Sequence, residues 1–240
     1  MTFEEIINYR RSVRHYKKLP IDIEKVKHCI KLATLAPNSS NMQLWEFYHI
    51  TNQETLKQLA VACLSQEAAT TAQQMVVFVT RQDLYQERAK RMVELETQNV
   101  LKNSPEIKQD KRTKRWKLYY GKVMPFLYAR FLGILGFIRK FLVNIVGIFR
   151  PIVYQVSEND MRVVVHKTCA LAAQTFMLAM ASENYDTCPM EGFDSRKVKH
   201  ILNLPYGAEI NMVISCGIRD ENGVWGDRMR IPFNEVYVQV

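Results

Sequence analysis

Apolar and polar positions along this chain fall into stretches that read as helix, strand and turn in mixed order. Thr2 with Glu5 three residues on forms a capping-box pattern that opens a first helix. Asp22, after Pro20, caps a second, whose apolar positions Val26, Cys29, Ile30 and Ala33 keep a helical period, and Pro37 closes it. Glu46 to Ile50 is strand-like. Thr51 with Glu54 suggests another capping box, before a helix through Leu56, Leu59 and Ala60. The apolar run Met75 to Thr80 fits a buried strand. Ser157 with Asp160 opens a long helix to about Asn184, with Val164, Cys169, Ala172, Ala173, Phe176 and Met180 as a small-residue-rich surface for a core or a dimer interface. Asp194 or Ser195 caps a helix ending at Leu204-Pro205, and Glu209 to Ile218 alternates as a core strand. The segment Thr187 to Asp194 has a Pro/Gly turn only as its alternative reading, set against a ligand-contacting motif, Asp220 to Gly223 reads as a turn, and the tail Pro232 to Val240 as β-prone.

Residues 81 to about 156 break this rhythm. A charged, helix-prone piece leads to a basic run with Lys111, Arg112, Lys114, Arg115 and Lys117, and then Met124 to Phe149 is apolar and aromatic. A transmembrane span is disfavoured, because Arg130, Arg139 and Lys140 interrupt the run and each central charge costs about 2.5–3.5 kcal/mol. Three readings of the insert stand: a helical hairpin buried against a dimer partner, a lid over a site, or a cationic amphipathic element on an anionic bilayer, centred on residues 116–150.

Composition narrows the picture only a little. The 240 residues carry 33 Lys and Arg against 24 Asp and Glu, a formal charge of +9, so an acidic partner is expected, whether a phosphorylated cofactor, nucleic acid or lipid. Without an aromatic-interleaved RNA motif or a recognition-helix signature, nucleic acid ranks low. Five scattered cysteines without C-x-x-C signal neither a disulfide framework nor zinc, and are expected to be reduced and mostly buried. The N-terminal residues lack a secretory pattern, and the expected address is cytoplasmic, with peripheral membrane contact through the insert left open.

Candidate chemistry begins at Arg10-Arg11-Ser12-Val13-Arg14, where three guanidinium forks and a hydroxyl lie within five residues, a pattern suited to clamping phosphate. Taken alone it also fits a solvated face. Arg228 and Arg230 form a second basic pair that a closed fold could bring to the same anion. Ala36 to Trp45 contains Pro37, Asn38, Ser39, Ser40, Asn41 and Gln43, either an ordinary turn or amide and hydroxyl groups suited to a polar heterocycle. His166 reads as a helix-face histidine, and Cys188 as a small buried residue without a catalytic partner.

Arg-Arg-Ser-x-Arg, followed about two dozen residues later by Ala-Pro-Asn-Ser-Ser-Asn-x-Gln-x-Trp, resembles the FMN-dependent nitroreductases. Pro189-x-Glu191-Gly192-Phe193-Asp194 and the terminal Arg228-x-Arg230-x-Pro232 extend the resemblance, which covers roughly residues 1–80 and 157–240. Leu44 departs from it, standing where the family usually has proline. The resemblance implies an α+β fold with a central, mainly antiparallel sheet surrounded by helices, as one FMN-binding domain over residues 1–240 carrying the insert at 81–156. It implies that Arg10, Ser12 and Arg14, beside Arg11, hold the FMN phosphate and ribityl side, joined by Arg228 and Arg230. Pro37, Asn38, Ser39 and Asn41 approach the isoalloxazine, often from the other subunit, and Pro189, Glu191 and Gly192 pass along it mainly through backbone. Gln66 is a weak further candidate. No side chain is required as catalytic acid or base, and no metal is implied.

The implied activity is hydride transfer from NADH or NADPH through the flavin to a nitroaromatic, quinone or related small-molecule acceptor, in ping-pong order, by a homodimer. Reductive dehalogenation or other flavin chemistry on the same fold is an alternative. Another is a non-enzymatic binder of membrane or nucleic acid that uses the basic insert.

Overall fold

The computed structural model describes residues 1–240. Its framework is a four-stranded antiparallel sheet of β1 (Trp45–Ile50), β2 (Gln74–Thr80), β3 (Asp186–Met190) and β4 (Glu209–Gly217), in the spatial order β1-β2-β4-β3. β2 lies inside the sheet and is buried at every position. Its period-two alternation therefore feeds two cores. Val76 and Phe78 face one layer with α2 (Ile23–Ala33) and α9 (Glu158–Ser182), while Met75, Val77 and Val79 face the other with α3 (Gln53–Ala62) and α10 (Ser195–Ile201). Small side chains on α9, Cys169, Ala172 and Ala173, allow close packing in the first layer, and Phe176 fills it against Phe78, ring centroids 5.6 Å apart. α9 is the one helix long and apolar enough to cross a membrane, but it packs into this core. The architecture is the α+β one expected, with a mainly antiparallel sheet surrounded by helices.

The capping signals identify most helix starts. Thr2 and Glu5 form the reciprocal box that opens α1 (Phe3–Tyr9), Asp22 caps α2, Ser157 and Asp160 box the start of α9, and Asp194 caps α10. Thr51 does not cap α3. Asn52 does, its Oδ1 accepting from the Thr55 amide at 3.0 Å, because Asn is as good a cap and the helix begins one residue later. α2 ends at Ala33, well before Pro37. Thr187 to Met190 is not a turn but part of β3, where Pro189 is tolerated because β3 is an edge strand. The tail forms a single helical turn, α11 (Phe233–Val236), rather than a strand, as it has no neighbouring strand to pair with.

The insert is mainly helical: α5 (Tyr85–Asn103), α6 (Glu106–Leu118), a π-turn (Tyr119–Val123), α7 (Met124–Tyr128) and α8 (Ile134–Phe149). With α4 (Glu67–Thr70), these complete the helices. A third apolar cluster joins the insert to the body through Met42, Leu44, Met92, Tyr120, Tyr128 and Met161. Leu44, the departure from the family pattern, is thus a core residue. A polar tie lies beside it: the Glu209 carboxylate receives Arg130 of the insert at 3.1 Å and His166 of α9 at 3.2 Å, with Arg162 completing the set.

Candidate functional site

Arg10 is the C-cap of α1, so the helix delivers the arginine run directly into an extended segment. That segment is fixed by β3: Ser12 forms a parallel bridge with Thr187, and the Val13 amide donates to the Thr187 carbonyl at 3.1 Å. The Arg14 amide donates to the Gly223 carbonyl at 2.6 Å, and its guanidinium lies over the Trp225 ring. From the far end of the chain, Arg228 Nη2 donates to the carbonyls of Ile7, Asn8 and Arg10, satisfying main-chain acceptors left open at the end of α1. Arg11 Nη2 donates to the Gly226 carbonyl at 2.8 Å. Burial, then the nearby charges of Arg228, Arg230 and Arg11, hold the Arg10 guanidinium below its usual pKa.

These positive groups therefore converge as the sequence suggests, from opposite ends of the chain. None of Arg10, Arg11, Arg14, Arg228 and Arg230 forms an ion pair with a carboxylate. Gathering like charges without counter-charge is unfavourable, so such a cluster is built for an anion.

Beside it runs Pro189 to Gly192. Cys188, buried at the strand's centre, has its thiol pushed up by burial and drawn partly back by the nearby charges of Arg14 and Arg10. It is a packing residue. Beyond Met190 the chain leaves the sheet, and Glu191 and Gly192 are exposed. Gln66 sets the height of this segment: its Nε2 donates to the Gly192 carbonyl at 2.8 Å and to the Cys63 carbonyl at 2.9 Å. A Cβ on Gly192 would meet only Gln66 Nε2, at 3.6 Å, so no protein atom explains the missing side chain. The face it leaves bare is open to a ligand.

The polar run at 38–43 is a second, separate feature. Ser39–Asn41 is a single 3-10 turn, and Ser40, Asn41 and Gln43 all hold positive φ, an arrangement that non-glycine residues keep only where their surroundings fix it. Here the surroundings are named. Asn38 Oδ1 accepts from the Gln43 amide at 2.9 Å, the Tyr119 hydroxyl meets Ser40 Oγ at 2.8 Å, and the Tyr120 hydroxyl donates to the Ser40 carbonyl at 2.9 Å. The π-turn of the insert thus presents two successive tyrosines to one serine.

The fold does not bring Pro37, Asn38, Ser39 and Asn41 to the arginines. Their loop enters β1 and the arginine segment lies along β3, opposite edges of the sheet with two strands between them, and opposite strand ends too: Trp45 is level with Thr80 and Glu209, whereas Thr187 pairs with Cys216. No hydrogen bond links the two sets.

Two supporting residues carry no local signal. Arg219 binds Asp186 through its amide at 2.7 Å and its Nε at 2.8 Å, donates to the Tyr9 carbonyl, and stacks over the Tyr9 ring, fastening the end of α1 to β3. Tyr119 is the other, since only the fold reveals that it faces Ser40.

An antiparallel α+β sheet with unpaired guanidinium groups gathered at one edge, beside an exposed glycine-bearing strand end, is the arrangement of a protein that holds a phosphorylated ligand. The comparisons give the family. The family model of the Nitroreductase family matches residues 7–218. The chain is 23% identical to MhqN of Bacillus subtilis, assigned as an NAD(P)H nitroreductase, over 97% of this chain and 96% of that one. Its fold matches a protein from Exiguobacterium sibiricum, assigned as a nitroreductase and solved in complex with FMN, at a TM-score of 0.71 and 20% identity, covering 100% of this chain and 98% of that one. It also matches the NADPH:FMN oxidoreductase of Vibrio harveyi complexed with NAD+, at a TM-score of 0.64 and 18% identity, covering 99% and 76%. The chain belongs to the nitroreductase family and is an NAD(P)H-dependent flavin oxidoreductase.

Proposed function

We propose that the protein is a homodimer that transfers hydride equivalents from NADH or NADPH to a nitroaromatic, quinone or similar small acceptor in ping-pong order, at FMN sites shared between two copies. The observation that carries this reading is the group of five arginines without carboxylate partners, set against Pro189 to Gly192. The donor set fits the cofactor. A phosphate monoester offers nearly two negative charges and three acceptor oxygens, which bidentate guanidinium groups match. Arg10, Arg11, Arg14 and Arg230, with the exposed Ser12 hydroxyl, would hold that phosphate. Arg228 adds charge while its Nη2 stays with the end of α1. Pro189, Glu191 and Gly192 would lie along the ring through main chain, at the height Gln66 fixes. Pro37, Asn38, Ser39 and Asn41 would reach the ring from the second copy, since their loop and the arginines occupy opposite sheet edges. FMN, once bound, supplies the redox chemistry, and the chain's own residues bind, orient and exclude water. A cytoplasmic location belongs to the same reading.

Dimerisation has its own support. Phe3 and Leu35 stand exposed on one apolar face with Ile6 and Leu178, and the tail from Ile231 to Val240 lies wholly exposed, Phe233, Tyr237 and Val238 included. A second copy would cover these groups.

Visible absorption tests the reading. Wild-type protein purified with a flavin spectrum should bleach under anaerobic NADH or NADPH, and the faster nucleotide names the donor. Arg10→Ala and Arg230→Ala should each lose about 1.5–3 kcal/mol of FMN affinity, the range for hydrogen bonds to charged groups, and purify depleted of flavin. Wild-type flavin loading in both would remove the phosphate assignment.

A further inference from the structure

Helix α8 is turned inside out. Its inward side carries Gly136, Arg139, Val143, Val146 and Gly147, all buried or half-buried. Ile134, Phe137, Phe141, Ile145, Ile148 and Phe149 stand in solvent instead, Phe137 at 74% and Phe149 at 81% exposure. At 100° per residue these six fall within about 120° of the helix circumference, one continuous apolar arc. Phe131 and Leu132, in the turn before α8, extend the exposed apolar surface.

The chain itself holds the helix this way round. The Arg139 side chain is 1% exposed, with Nε donating to the Val156 carbonyl at 2.7 Å and Nη1 to the carbonyls of Phe126 and Ala129 at 2.7 and 3.0 Å. Glu158, at the start of α9, accepts from the Phe131 and Gly133 amides, both at 3.0 Å, at the amino end of α8. Gly136 permits the contact: a Cβ there would lie 2.8 Å from the Glu158 amide nitrogen. Rolling α8 to hide its apolar arc would strip a buried guanidinium of three carbonyls and push large side chains into a backbone contact.

Charge selects what covers the arc. Between residues 111 and 157 there are ten Lys and Arg and no Asp or Glu, leaving 23 basic against 24 acidic residues in the rest of the chain. The whole positive excess of the protein belongs to the insert. Exposed Lys140 flanks the arc and exposed Arg150 follows its carboxyl end. A second copy docking by the same arc would set two such inserts against each other, whereas an anionic surface would be attracted. The length also discriminates: sixteen residues span about 24 Å, short of the roughly 20 residues a transmembrane helix needs. The geometry fits a helix lying in the plane of an interface.

We propose that α8 seats this protein on a bilayer containing anionic phospholipid, with the apolar arc in the acyl boundary and Lys140 and Arg150 at the headgroups. The inference stands apart from the redox reading.

The test is co-sedimentation of the flavin-loaded full chain with vesicles of phosphatidylcholine containing about 30% phosphatidylglycerol, and with phosphatidylcholine alone, at low and high salt. The wild type should pellet with the anionic vesicles, less so at high salt. Phe137→Glu/Phe141→Glu should bind at least about tenfold more weakly with flavin content unchanged. The single variant Phe141→Ser, which adds no charge, should shift in the same direction and serves if the double variant is not recovered folded. Wild type that stays in the supernatant at low salt, or glutamate variants that pellet as wild type does, would overturn the proposal. So would a fall in particle mass by sedimentation equilibrium on substitution without any vesicle binding, which would assign the arc to a second copy.

Discussion

Gln66 reaches from the turn before α4 to the carbonyls of Gly192 and Cys63, so one amide sets where the strand end beside the arginines lies. Gln66→Leu keeps most of the volume and removes both donors. We expect FMN affinity to fall by about 1–2 kcal/mol, several-fold to about thirtyfold, measured by fluorescence titration of the apoprotein. Affinity equal to wild type would detach Gly192 from the cofactor. The arginine, asparagine and Pro-x-Glu-Gly groups are legible in the sequence because each is a contiguous motif whose chemistry is carried by its own residues. Gln66 is not, since its partner lies 126 positions away, and Ser65-Gln66-Glu67 matches no pattern by itself. Arg219 escapes for the same reason: its carboxylate, Asp186, is 33 positions earlier, across an antiparallel pair.

Among the elements, the tie between the insert and the sheet is the Glu209 carboxylate. The hydrogen bond from His166 first, then those from Arg162 and Arg130, outweigh burial and hold its pKa down at about 2. A depressed folded pKa means stability that is present above the usual carboxylate range and is lost as pH falls from about 4.5 toward 2. We expect Glu209→Gln to cost about 2 kcal/mol at neutral pH, allowing for solvent screening of a partly exposed cluster, and the gap from wild type in urea unfolding to close over that window. A gap that persists unchanged at pH 2 would show that the packing of Glu209 matters and its charge does not. Helix starts were readable because capping is a local exchange of hydrogen bonds over three residues, as at Thr2, Asp22 and Ser157. β3 was not, because a five-residue edge strand containing Pro189 has the composition of a turn, and only pairing with β4 makes it a strand. The π-turn likewise has no signature in Tyr119-Tyr120-Gly121-Lys122-Val123.

At the scale of the whole molecule, the arginine cluster and the loop at 37–43 lie at opposite sheet edges, and the tail from Ile231 to Val240 lies exposed. Removing residues 231–240, while keeping Arg230, should halve the particle mass in light scattering and lower flavin retention together. A truncated protein that keeps both would place the subunit contact elsewhere. Such an assembly was accessible to the sequence only through family resemblance, since no local pattern records which surface a second copy covers. The insert is the opposite case. The lack of acid between residues 111 and 157 and the apolar run there are plain in the sequence, yet which face of α8 points outward depends on Arg139 and Gly136, and the inward turn of Arg139 runs against the usual placement of charge. All five cysteines, Cys29, Cys63, Cys169, Cys188 and Cys216, are unpaired and buried, and burial raises their thiols, Cys29 and Cys63 to about 11 and Cys169 to about 12. A folded molecule therefore offers alkylating reagents almost no thiolate. The native thiols become an internal reporter of opening, and a single cysteine engineered on the outer surface would be the one reactive handle without deleting any of them.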